Sequence, residues 1–328
     1  VGATEDAGTW VIDPDGSAGP GAAGTRGLDA MVINFTGLEP AATDTAVAVF
    51  DVIMNAAAIA DSATIADGTV LPPPFTSPNM QIVDNNSTFE TTVFANKTTV
   101  RIMGNSGADI FHLDYTTPAA GLTTLDVFGH LAPDVPPAGS DNDDEEYLIE
   151  RTATGVQNNL RGDGGNDNFQ NIYHASGLLG SPRTLDGVNG NVDVDGGAGT
   201  DRLALSDENS AGPADSATLT STRLTGATAA TITYTNLDSF YFEDTSFDDT
   251  IDILSTAAGT DYIVNGDGGS DEFTIGNTAA GYLTPGTGSL DDILGHVTIF
   301  ADFNNAAGRD TLNVDDSGTA SIASPGFA

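Results

Sequence analysis

Apolar and polar residues alternate with a period of two in many short stretches, and almost nothing repeats every three or four. Val192–Val194, Leu203–Leu205, Thr231–Tyr234, Thr250–Ile253, Val297–Phe300 and Leu312–Val314 are the clearest cases. This period sends successive side chains to opposite faces, which is the pattern of a half-buried strand. Gly, Asp or Asn turns bound each stretch. Only 46–63 and 147–152 read as helical, while Pro72–Pro74 and Ala132–Gly139 read as loops. The expectation is an all-β fold, a repetitive parallel β-helix or solenoid-like array, with tandem β-sandwich modules as the alternative.

Diverged internal repeats support an array. Leu160–Phe169 matches Val264–Phe273, Gly199–Asp207 matches Gly308–Asp316, and Met103–Phe111 is a third copy of the first pattern. Trp10–Pro20 resembles Leu203–Pro213, Val32–Glu39 resembles Ile232–Asp238, and Ser87–Val93 resembles Ser246–Ile251. These matches divide the chain into a first module over 8–150, with an insertion at about 40–82, and a half module over 151–200. A second module covers 201–309, and 310–328 is the start of a further one or a terminal strand. The chain opens on Val1 and not on Met, which reads as a processed product or a segment of something larger.

Charge narrows the function classes. The 328 residues hold 38 Asp and 9 Glu against eight Arg and one Lys, for a net charge of −38. Such a surface repels phosphate backbones and anionic lipid, which argues against nucleic acid and the membrane surface as partners. Hydrophobic residues make up 39%, enough for a core, so this is not a disordered acidic tail. Acid excess with Arg over Lys also suits a high-salt environment. There is no cysteine, which excludes disulfides, thiolate zinc sites and a cysteine nucleophile. No apolar run reaches the ~18 residues of a membrane-spanning helix. N-x-S/T sequons start at Asn34, Asn85, Asn86 and Asn96, candidate glycosylation sites in an exported protein.

The chemistry concentrates in glycine–aspartate turns. Gly196–Ala204 fits the nonapeptide G-G-x-G-x-D-x-U-x, with U a large aliphatic residue. Gly162–Phe169 and Gly266–Phe273 are near matches, and Gly104–Phe111 is a weaker one. In these residues the sequence resembles the RTX calcium-binding repeat proteins and, more broadly, large extracellular adhesin-like repeat proteins. The resemblance implies structural Ca²⁺ at Asp163, Asp167, Asp195, Asp201, Asp267 and Asp271, then at Asp302, Asp310, Asp315 and Asp316. Carboxylates and turn carbonyls are hard oxygen donors suited to this ion. RTX nonapeptides run in tandem, whereas each copy here stands alone in the sequence. The other reading of the same residues is that Asp closes turns by bonding its own backbone.

No constellation for catalysis stands out. His112, His130, His174 and His296 form no H-x-x-x-H or H-E-x-x-H pair, which argues against a transition-metal site. No G-x-S-x-G turn marks a nucleophile, and a polysaccharide-cleaving site would want more Lys or Arg than this chain has. The expected function is therefore a non-enzymatic extracellular or cell-surface structural protein. It would be a repeat-built adhesin or filament subunit stabilised by calcium. Its partners would be head-to-tail copies, further modules of a longer parent, or glycans. The alternative is a carbohydrate-binding or polysaccharide-cleaving β-helix. An exposed aromatic row would support that alternative, and Trp10, Tyr115, Tyr173, Tyr234, Tyr241 and Tyr262 form no such row in sequence.

Overall fold

The computed structural model describes residues 7–13, 31–36, 41–43, 46–54, 59–68, 78–86, 88–89, 91–131, 142–172, 183–212, 215–276, 288–301 and 308–318, the first three ranges in backbone only. The expected loops Pro72–Pro74 and Ala132–Gly139 lie outside the described residues, as do Asp302, His174, Tyr173 and the side chains of Trp10 and Asn34.

Among the described residues the chain is all-β, with strands and no helix. The first stretch holds β1 (Ala7–Asp13), β2 (Met31–Thr36), β3 (Ala41–Thr43), β4 (Val47–Ile53), β5 (Ser62–Asp67), β6 (Met80–Asp84) and β7 (Thr92–Phe94). Next come β8 (Lys97–Met103), β9 (Ile110–Asp114), β10 (Thr124–Phe128), β11 (Glu146–Arg151), β12 (Gln157–Arg161), β13 (Gly164–Gly165) and β14 (Asn168–Gln170). β15 (Val192–Asp195), β16 (Ala198–Gly199), β17 (Arg202–Ser206), β18 (Ser216–Thr220), β19 (Arg223–Thr225) and β20 (Ile232–Thr235) follow. The last are β21 (Ser239–Glu243), β22 (Thr250–Ile253), β23 (Asp261–Asn265), β24 (Glu272–Ile275), β25 (His296–Phe300) and β26 (Thr311–Val314).

The two stretches expected to be helical are strands instead. Residues 47–53 and 62–67 form β4 and β5, and 147–151 lies in β11. The reason in β11 is burial on both faces: Tyr147, Leu148 and Ile149 are all fully buried. A continuous apolar run lacks the alternation that marks a strand.

The strands form two large sheets. A 13-stranded sheet has the order β2-β1-β4-β8-β10-β12-β15-β20-β19-β18-β22-β24-β26, and an 11-stranded sheet has the order β25-β23-β21-β17-β14-β11-β9-β5-β6-β7-β3. From β8 onward the chain passes from one sheet to the other and back. Nearly every return lays a strand parallel to, and beside, its predecessor in that sheet. The exception is the β18–β19–β20 excursion, whose antiparallel pairs add two extra strands to the larger sheet. The parallel run ends on antiparallel pairs near the N-terminus, β1 with β2 and β4, and β6 with β5 and β7.

Constant register stacks like on like. Phe111, Tyr147, Phe169, Leu203, Phe240 and Tyr262 form one inward column of the smaller sheet. Ile102, Val127, Leu160, Val194 and Tyr234 form a facing column of the larger one. Both belong to one hydrophobic core running from Val47 to Phe273. Ring centroids lie 5.1 Å apart for Phe111–Tyr147 and 4.5 Å for Tyr147–Phe169. Tyr147 also donates its hydroxyl to the Arg161 carbonyl at 2.5 Å, so its polar tip is satisfied inside the core. Asn158, the polar break in the larger sheet, accepts from the Tyr115 hydroxyl at 2.5 Å and donates to the Asn191 carbonyl at 3.0 Å.

Truncating the central ring of the stack should be costly. Tyr147→Ala is expected to lower unfolding free energy by about 3–5 kcal/mol, read from denaturant unfolding. A loss under about 1 kcal/mol would mean the stack is not part of the core.

Candidate metal centres in the stacked corners

The four Gly/Asp copies share one local geometry. In each, a glycine stands five residues before the acid: Gly104 and Asp109, Gly162 and Asp167, Gly196 and Asp201, Gly266 and Asp271. The next residue has positive φ (Asn105 77°, Asp163 66°, Gly197 92°, Asp267 61°), and so does the glycine two further on (Gly107, Gly165, Gly199, Gly269). Two left-handed residues this close reverse the chain sharply, and Gly, Asn and Asp tolerate that conformation best.

The leading glycine also leaves room for the acid. A Cβ on Gly162 would lie 2.1 Å from Asp167 Oδ2, and one on Gly266 would lie 2.4 Å from Asp271 Oδ2. The carboxylate thus sits on the bare glycine backbone, buried under the corner.

Two copies that stand alone in the sequence, those starting at Gly162 and Gly196, are stacked in space. Gly164–Gly165 pairs in parallel with Ala198–Gly199 as a two-stranded ladder within the corner itself. More acids than the glycine motif marks take part, because each corner ends on an acid just before the next strand. On the edge leading into the smaller sheet these are Asp61, Asp109, Glu145, Asp167, Asp201 and Asp238. On the opposite edge, leading into the larger sheet, they are Asp215, Asp249, Asp271 and Asp310.

A carboxylate in these columns accepts the backbone N–H of the acid one rung earlier. On the first edge Asp61 donates to Asp109 at 2.7 Å, Glu145 to Asp167 at 2.8 Å, Asp167 to Asp201 at 2.9 Å and Asp201 to Asp238 at 2.9 Å. On the second, Asp215 donates to Asp249 at 2.7 Å, Asp249 to Asp271 at 2.9 Å and Asp271 to Asp310 at 3.0 Å. The acids therefore close the neighbouring rung's corner, not their own. One oxygen of each accepting carboxylate is used this way. The other oxygens of Asp167 and Asp271, Oδ2 in both, are buried and accept no hydrogen bond.

A denser group forms beside the β18–β19–β20 excursion. Asp207 and Asp244 occupy the corner position held by Gly266 on the next rung, since Ser206 pairs with Glu243 and Glu243 with Asn265. They face Asp215 and Asp249, the acids that end those two corners. Asp244 is fully buried, and its Oδ2 has no partner. Burial, then the charges of Asp249, Asp215 and Asp207, push its carboxyl up to about 9. Burial is also the main cause at Asp167, Asp207 and Asp271, each pushed up to about 7, with neighbouring aspartates adding to it. Asp163, Asp201, Asp215 and Asp249 shift in the same direction, again chiefly through burial.

The other sequence-marked residues are placed differently. Asp163 accepts the His130 amide at 3.2 Å, and Asp267 is buried with its own amide on Asn265 Oδ1. Asp195 ends β15 outside the column and accepts from Asn236 at 2.7 Å. Asp315 is exposed and held below its ordinary range by the Ser317 hydroxyl and amide, and Asp316 accepts the Leu290 amide at 3.3 Å. Asn85 and Asn86 are exposed, but their side-chain amides donate to Thr64 and to the Ala60 carbonyl. Asn96 is half-buried at φ 58°.

Sequence pairing rules missed one mixed cluster. His112, Asp114 and Glu150 bring donor atoms within 4.8 Å of one another, and among the described residues no other three His or acidic side chains do. Among the described residues no helix is long and apolar enough to cross a membrane. The chain matches no protein-family model, no curated protein and no solved structure.

The raised carboxyls fix the sign of the pH dependence. Unfolded, these aspartates titrate near 3.9. Folded, Asp167, Asp207 and Asp271 hold their protons to about 7 and Asp244 to about 9. Between those limits the folded chain binds more protons, so stability falls as pH rises. In chelator, the melting temperature should be highest near pH 4 and decline through pH 7 to 9. Asp271→Asn should flatten part of the decline. A melting temperature that rises over this range would overturn the assignment.

Proposed function

We propose that the chain is a parallel β-solenoid-like array acting as a non-enzymatic extracellular or cell-surface structural protein, with calcium bound between its stacked corners. The observation that carries this reading is the pair of acid columns with the aspartates beside them, where buried carboxylate oxygens on Asp167, Asp271 and the flanking Asp244 lack a partner. Stacked strands hold such groups about 4.8 Å apart. At about that distance like charges repel by roughly 1 kcal/mol in water and several-fold more in the interior. A proton or a divalent cation removes the repulsion, and at neutral pH the cation is the stronger remedy. The motif's resemblance to RTX corners supports calcium, whose loose oxygen coordination suits carboxylates shared between rungs.

A carbohydrate platform has less support. Of the described aromatics in the candidate row, Tyr115 is buried and Tyr234 and Tyr262 both pack against Phe240 in the core, which leaves Tyr241, half-buried on the other face of β21, standing alone.

The partner we propose is another rung-bearing segment of the same kind, at the C-terminal edge. Among the described residues β25 and β26 end the two sheets there on parallel strands, with Phe300 44% exposed and Leu312 and Val314 each 56% exposed. A parallel strand at the edge of a sheet accepts a further strand. Leu312→Lys with Val314→Lys should therefore reduce association, read by light scattering in calcium. Equal association in both proteins would remove this edge from the proposal.

Calcium should stabilise the fold by binding the folded state, by about 2.7 kcal/mol at a concentration a hundredfold above Kd. Chelation should lower the melting temperature at pH 7.5, and magnesium should restore it poorly. Asp271→Asn and Asp249→Asn should each reduce the calcium-dependent gain. A melting curve unchanged by excess chelator would sink the calcium reading.

A further inference from the structure

The corner acids leave unexplained a group on the outer face of the smaller sheet. His112 and Asp114 lie two residues apart on β9 and so project from the same face. On β11, Leu148 pairs with His112 and Ile149 with Leu113, but Arg151, not Glu150, pairs with Asp114. Glu150 is the extra residue of a β-bulge, and a bulge re-aims the side chain it carries. Here it brings Glu150 Oε2 to 2.8 Å from His112 Nε2. The His112 ring is almost wholly enclosed, at 4% side-chain exposure, against 19% for Glu150. The Asp114 carboxylate completes the set and is bonded by Arg151 Nε. At its far end β9 is tied down by Asp67, which accepts the amides of Thr116 and Thr117 at 2.9 and 2.8 Å.

We propose that His112, Asp114 and Glu150 form a binding site for one divalent first-row transition ion, distinct from the calcium corners. The donor chemistry selects the ion class. One imidazole nitrogen with two carboxylates suits Mn²⁺, Co²⁺, Ni²⁺ or Zn²⁺, whereas Ca²⁺ and Mg²⁺ take oxygen donors. The geometry is compatible with a facial arrangement. With bonds of about 2.1 Å, neighbouring donors of an octahedral ion stand about 3.0 Å apart and those of a tetrahedral ion about 3.4 Å. The His112–Glu150 separation of 2.8 Å is nearer the octahedral value. Three protein donors on one side then leave three positions for water. Arg151 balances the carboxylates while the ion is absent. Its side chain is 45% exposed, so it can swing into solvent as the ion enters. Bound there, the ion ties β9 to β11 across the one irregular step in their pairing.

The test uses the full chain, stripped by chelator and then held in excess calcium so that oxygen-donor sites are filled. Co²⁺ is titrated in. The expected result is one equivalent bound, with visible ligand-field absorption and paramagnetic broadening of the His112 ring alone among the four histidines. His112→Gln and Glu150→Gln should each weaken Co²⁺ binding at least about tenfold, while Arg151→Gln should tighten it. Unbroadened His112 resonances at saturating Co²⁺ would overturn the proposal without reference to any variant. So would unchanged affinity in both ligand variants, or displacement of Co²⁺ by calcium.

Discussion

The hydrogen bond from one corner acid's backbone N–H to the next rung's carboxylate is the constraint on which the rest depends. Strands of four or five residues satisfy their backbone in the sheet ladders, but the chain must also turn between sheets, and corner amides have no ladder partner. A buried amide left unpaired costs on the order of 1–3 kcal/mol. The acid columns supply the acceptor, and they supply it from the neighbouring rung. That choice forces successive corners into register. Once the corners are in register, so are the strands that follow, which puts Phe111, Tyr147 and Phe169 over one another. Core packing and corner chemistry are therefore two results of a single alignment.

The same alignment explains what was legible in the sequence. Val192–Val194 or Thr250–Ile253 could be read as strands because one face is buried and the other is not. Residues 147–151 could not, because Leu148 points away from the core column and is still buried. Glycine-rich corners stood out by composition, but their stacking did not, since the chain between stacked acids varies. Glu145 and Asp167 are 22 residues apart, Asp167 and Asp201 34, and Asp271 and Asp310 39. The signal that would have found most corners is an acid followed at the second and fourth positions by apolar, inward side chains. Asp109 precedes Phe111 and Leu113, Asp238 precedes Phe240 and Phe242, and Asp249 precedes Ile251 and Ile253, all without the full glycine pattern in the last two cases. The His112 cluster carried no signal of this kind. It depends on a residue 38 positions away and on a bulge that no local pattern marks.

The repeat matched at 160–169 and 264–273 shows how far sequence likeness can mislead about position. The first copy turns the chain from the larger sheet into the smaller, and the second turns it from the smaller into the larger, so they occupy opposite edges. Either edge accepts the motif because both sheets present the same requirement: a tight reversal followed by two inward side chains. The change of edge coincides with the β18–β19–β20 excursion, which adds two strands to one sheet only.

At that changeover the corner loses its usual division of labour. In the four glycine-marked corners a glycine gives the acid a bare backbone to rest on, as Gly162 does for Asp167. On the two changeover rungs, Asp207 and Asp244 take the glycine's position and face Asp215 and Asp249. An added carboxylate brings a second negative charge into a space that burial has already made hostile to the first. Asp244 is pushed up to about 9, while the column acids Asp167 and Asp271 reach about 7. The architecture of the array therefore changes at a place where buried carboxylates crowd one another.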